Sequence, residues 1–128
     1  MKHWRRILPL CCFLALLGSQ GMAAAAESKA MHTMAEIVLK LNHYPSNSEK
    51  ETLQKIVSDQ ATSAHERVLA QTLIHLQHTA NPDDKPKLQA LMKDESVPAS
   101  VKTLASILAN LNHTASDADK EKLKQLLR

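Results

Sequence analysis

The sequence predicts an all-α fold, three αα-hairpin units in tandem stacked as a short right-handed solenoid. Three observations carry that expectation. Leu41-Asn42-His43-Tyr44, Leu76-Gln77-His78-Thr79 and Leu111-Asn112-His113-Thr114 recur at a fixed spacing of 35 residues without a gap. In that register the apolar positions fall at spacings of three and four, which keep side chains on one face of a helix. No stretch alternates apolar and polar residues for long enough to make a strand.

The chain opens on a segment of different character. Lys2, Arg5 and Arg6, the apolar run from Ile7 to Leu17 and Ala23 to Ala26 match the three zones of a secretory signal peptide, with cleavage expected after Ala26. The run is too short for a membrane anchor, which needs about 20 apolar residues. A leucine before Cys11 fits poorly with a lipid-modified cysteine. Residues 1–26 are therefore expected to direct export to a bacterial periplasm or beyond, leaving 27–128 with no membrane span.

The units are expected at about 29–62, 63–97 and 98–128. The first helix of each is predicted over 29–43, 64–78 and 99–113. Its stripe is built by the columns Met34/Leu69/Leu104, Ala35/Ala70/Ala105 and Val38/Leu73/Leu108. The alanines sit mid-stripe, where a methyl group lets a partner helix come close. The second helices are predicted over 47–58, 82–93 and 117–127, with Leu53/Leu88/Leu123 and Ile56/Leu91/Leu126 facing inward. Each opens on a capping pattern: Ser46-x-x-Glu49, Asn81-x-x-Asp84 and Ser116-x-x-Asp119. Pro82 directly follows its cap, where a missing N–H costs nothing. A unit of 35 residues is too small to bury a core alone, so the three must pack together.

In period, in helix pairing and in the small residue inside the first helix, the chain resembles the helical-hairpin repeat class that includes tetratricopeptide and HEAT-type proteins. The resemblance spans most of 29–128. It implies a scaffold that binds other proteins or peptides along a groove. It carries no site residue with it, because the glycine and aromatic positions of a tetratricopeptide unit are absent here.

Composition excludes several functions. Three of the 16 Lys/Arg lie in the leader, leaving 13 against 13 Asp/Glu in residues 27–128. That balance removes the electrostatic basis for binding nucleic acid. Both cysteines and both glycines also belong to the leader. Disulfide frameworks, thiolate nucleophiles and glycine-rich phosphate loops are thereby ruled out of the remainder. The serines and acids recur as caps rather than as one constellation, so no catalytic residue is nominated and no enzyme is expected.

Six histidines follow the leader: His32, His43, His65, His75, His78 and His113. His75-x-x-His78 would put two imidazoles on one helical face, half of a weak zinc, copper or nickel site. His43, His78 and His113 share one column. In stacked repeats they would stand on the order of 10 Å apart, too far to share an ion. They are read instead as helix-end residues meeting the last carbonyls. Lys50, Lys85 and Lys120 form a parallel column beside them. With Tyr44, the one aromatic after the leader, the histidine and lysine columns make the expected partner-binding edge. The sequence thus favours an exported, non-catalytic adaptor for a protein or peptide, with metal binding through histidine as the alternative. Zero net charge also leaves homodimerisation open.

Overall fold

A computed structural model describes residues 27–128; the leader lies outside the described residues. Six helices form: α1 Lys29–Lys40, α2 Asn47–Ser58, α3 Ala64–His75, α4 Lys85–Lys93, α5 Ala99–Asn110 and α6 Asp117–Leu126. Among the described residues there is no strand, and no helix is long and apolar enough to cross a membrane.

Local chemistry explains most starts. Ser28 Oγ accepts from the Met31 amide at 3.1 Å and opens α1. Ser46 and Glu49 satisfy one another's backbone at the start of α2, and Ser63 and Glu66 do the same at α3. Ser116 Oγ accepts from the Asp119 amide to start α6. The second-unit pattern behaves differently. Asn81 Oδ1 accepts from the Asp83 amide rather than capping a helix, residues 82–84 form a turn, and α4 begins only at Lys85. Pro86 accounts for the delay. It has no N–H to offer the carbonyl four residues back, and its ring crowds that carbonyl.

The first helices also stop earlier than expected. α1, α3 and α5 end at Lys40, His75 and Asn110, three residues before the predicted ends. Leu41, Leu76 and Leu111 cap them in extended conformation, with ψ of 131°, 128° and 133°. Each leucine is buried, so the chain turns where its last apolar anchor enters the core.

The core is one cluster. α1, α3 and α5 touch each other pairwise in the middle, while α2 packs chiefly on α3, α4 on α5, and α6 on α1. Each outer helix thus leans on the next unit's inner helix more than on its own. Met34, Leu69, Leu104, Ala35, Ala70, Ala105, Val38, Leu73 and Leu108 are fully buried, as are Leu53, Leu88 and Leu123 from the outer helices. The alanine column is the thin part of the inner helices, where three backbones can approach.

The return of α6 to α1 brings the third unit back onto the first. Contacts run in a closed circuit, and the first unit neighbours the third as well as the second. Equivalent positions therefore surround a common centre instead of lying along a line.

Candidate metal centre

Each inner helix is followed by a leucine, an amide residue and a histidine. His43, His78 and His113 have φ of 73°, 59° and 64°, the three positive values among the described residues. This region costs a residue with a Cβ roughly 1–2 kcal/mol, although histidine is found there more often than most. In each case the amide of the next residue bonds back across the histidine to the carbonyl of the residue before it, Tyr44 to Asn42, Thr79 to Gln77 and Thr114 to Asn112. A three-residue turn with positive φ at its centre is the rarer, strained form of γ-turn.

Backbone bonding between the turns offsets that strain. The His43 amide donates to the His113 carbonyl at 2.9 Å, His113 to the His78 carbonyl at 2.7 Å, and His78 to the His43 carbonyl at 3.1 Å. The three peptide groups complete a cycle, each unit giving one bond and receiving one. Neither these amides nor the imidazoles bond a carbonyl of the preceding helix, which corrects the expectation that the imidazoles meet the last helix carbonyls.

The cycle fixes where the side chains go. The three imidazole centroids lie 5.2, 5.1 and 4.8 Å apart. One ring nitrogen from each histidine lies within 4.8 Å of the other two, and all three residues are solvent-exposed. The expectation that this column cannot share an ion therefore fails. It assumed the separation of neighbours in stacked repeats, whereas closure points all three at one centre.

Polar contacts set the lone pairs. His43 Nδ1 lies 2.6 Å from Asn42 Oδ1. A carbonyl oxygen can only accept, so Nδ1 carries the proton there and Nε2 keeps the free pair. His78 Nδ1 and His113 Nδ1 face one another at 3.0 Å and share a single hydrogen between two nitrogens. Tyr44 packs edge-on against His78, with centroids 6.3 Å apart, and Lys50 Nζ lies 5.8 Å from the Tyr44 ring centre.

His75 lies elsewhere. It is the last residue of α3, whereas His78 is beyond the helix, so the two do not share a helical face. Its Nδ1 lies 3.1 Å from Asp84 Oδ2, and Lys87 Nζ donates to Asp84 Oδ1 at 2.9 Å. Burial raises the Asp84 pKa, but the hydrogen bonds and charges of Lys87 and His75 outweigh it and hold the carboxyl below its ordinary value. The group read from sequence as a helix cap is thus a buried anion tying α4 to the end of α3. The structure brings His78 to His43 and His113, and His75 to Asp84.

Of the lysine column, Lys50 reaches this end through Tyr44, and Lys120 stands 3.8 Å from Asp117. Lys85 is exposed and, like Lys50, forms no ion pair among the described residues. Glu66 was not singled out from sequence. It is buried, completes the α3 cap with Ser63 and accepts from Ser28 Oγ of the first unit. Ser63-x-x-Glu66 is itself a capping pattern and could have been found on that ground.

Three imidazoles converging on one point are a donor set suited to zinc, copper or nickel. Zinc–nitrogen bonds of about 2.0–2.1 Å put ligand nitrogens roughly 3.3 Å apart, so the widest separations, up to 4.8 Å, would have to close and the 3.0 Å contact between His78 Nδ1 and His113 Nδ1 would have to give up its hydrogen. Exposed side chains can supply that through small rotations. The chain matches no known protein family, no curated protein and no solved structure.

Proposed function

We propose that this protein binds one divalent transition-metal ion, held by His43, His78 and His113 at the centre of its three-unit scaffold. The observation that carries the proposal is the approach of all three ring nitrogens to within 4.8 Å. Its support is a strained, interlocked backbone at the same three residues, a cost that helical packing alone does not require. In this reading the leader exports the chain to the periplasm, and the protein stores or carries metal without catalysing a reaction.

The peptide-adaptor reading rests on Tyr44, the single large hydrophobic residue exposed among those described, at 57%. One ring falls short of the clustered anchors on which tight interfaces depend. Metal binding is the stronger reading.

Calorimetric titration of chelator-stripped 27–128 with Zn²⁺, Cu²⁺ and Ni²⁺ tests it. The expected result is saturable binding of one ion per chain, about micromolar or tighter, with a melting temperature that rises with metal concentration as linkage requires. His43→Ala, His78→Ala and His113→Ala should each weaken binding at least about tenfold, the smallest loss that even outer-shell partners of a metal cause. His75→Ala should leave affinity unchanged. Absence of saturable binding, or equal affinity in all four variants, removes the proposal.

A further inference from the structure

Three protein ligands do not saturate a transition metal, and sites of this kind keep a fourth position for water or an exogenous group. All three histidines are exposed, so that position faces solvent. The surroundings then decide which exogenous group is preferred.

A cleft bordering the triad is lined by Tyr44, Lys50, Leu76, Gln77 and His78. It contains one cation and no carboxylate. Lys50 forms no ion pair among the described residues and instead lies over the Tyr44 ring. The neighbouring acid, Glu49, is occupied in the α2 cap, where its Oε2 accepts from the Ser46 amide at 2.7 Å and from Ser46 Oγ at 2.8 Å. A lysine beside a metal centre opposes cation binding unless something negative lies between them. An oxyanion bound to the metal and extending into the cleft would meet both charges.

The aromatic wall of the cleft is peculiar to the first unit, and the cleft runs from it to Leu76, Gln77 and His78 of the second. The column that holds Tyr44 holds Thr79 and Thr114 in the other two, and Lys120 has Asp117 at 3.8 Å. An aromatic wall with an unpaired lysine therefore borders the triad on the side of the first unit. That asymmetry gives the fourth ligand a preferred direction.

Resting on the metal reading above, we infer that the metal-loaded protein binds a small oxyanion, such as a carboxylate, in its open coordination position, with Lys50 as counter-charge and Tyr44 as wall. The ligand completes the coordination shell by displacing water, and no bond within it is broken. A partner peptide could present the same chemistry through its C-terminal carboxylate. Free acetate and a short peptide with a free or amidated C-terminus separate these sources.

The test uses 27–128 loaded with Co²⁺, whose visible absorption reports coordination, titrated with acetate. The expected result is a saturable spectral change whose midpoint rises about two- to fivefold in Lys50→Gln, the range for one partly exposed charge pair. Lys102→Gln, which removes a charge from α5 near its start, should match the parent, as should the affinity of Lys50→Gln for cobalt itself. Failure to bind cobalt refutes the metal reading and this inference together. Bound cobalt with a spectrum indifferent to acetate refutes this inference alone. An unchanged acetate midpoint in Lys50→Gln also overturns it.

Discussion

The two ends of the inner helices follow opposite rules. Where α1, α3 and α5 finish, three identical histidines meet in the open, joined by three equivalent backbone bonds. Where they start, the equivalent column reads Met31, Glu66 and Val101, all buried, and one unlike pair, Ser28 with Glu66, links two units. The difference separates two uses of a repeat. Keeping one residue in all three copies gathers a set of like donors at a point, while letting the copies diverge fills a space with complementary shapes. The first arrangement suits an ion, and the second suits a core.

The buried end should be the more sensitive to substitution. Glu66→Ala removes the reciprocal cap of α3 and leaves the Ser28 hydroxyl without its acceptor, an expected loss of about 2–3 kcal/mol in chemical denaturation. Glu66→Gln, which can still accept, should retain most of that stability. Equal losses in the two variants would show that the carboxylate charge, rather than the hydrogen bonding, is what the site requires.

Asp84 offers a smaller effect with a defined pH signature. Its folded pKa is depressed, so its contribution is present above the ordinary value of 3.8 and is lost as pH falls through the depressed one. Asp84→Asn should therefore be less stable than the parent at neutral pH by about 1–2 kcal/mol, and the gap should close in acid. A gap that persists at pH 2 would mean that shape, not the anion between His75 and Lys87, holds α4 in place.

The histidine end should yield the smallest change, and of opposite sign. His78→Gly relieves a positive-φ penalty of roughly 1–2 kcal/mol and incurs about 0.5–1 kcal/mol of chain entropy. The variant should melt about 3–5 °C higher than the parent in the absence of metal, and should lack the metal-dependent stabilisation proposed for the parent. A variant less stable than the parent without metal would show that the imidazole contributes packing at this end.

Much of the fold is legible in the sequence, and the reasons are local. The columns Leu41/Leu76/Leu111 and Ala35/Ala70/Ala105 repeat because each unit needs the same anchor and the same thin point, so helix number and inward faces follow from spacing. The caps at Ser46 and Ser116 follow from hydrogen-bonding inventory. What the period does not contain is the rotation from one unit to the next. A spacing of 35 residues is the same whether the third unit lies in line or returns to the first, and only the packing of α6 on α1 decides it. That one angle separates three scattered histidines from a triad. The strained turns were hidden for a different reason. With no glycine after the leader to mark a positive φ, the apolar spacing alone extends the predicted helices through His43, His78 and His113. The available signal was an invariant polar residue just past the last apolar anchor in all three copies, a position where a repeat that only needed a turn would be free to vary.

Closure also changes how the chain must fold. In an open array every favourable contact lies between sequence neighbours, and structure can spread from any nucleus. Here the pairing of α6 with α1 joins the two most distant helices of the described chain. Its loop-closure entropy must be met before the contact gives any return, which raises the contact order of an all-helical protein and slows it relative to a simple bundle. The cycle of hydrogen bonds among the three histidine turns cannot close until all three units have docked. The convergence of His43, His78 and His113 therefore comes into existence with the native topology and is absent from a partly assembled pair of units.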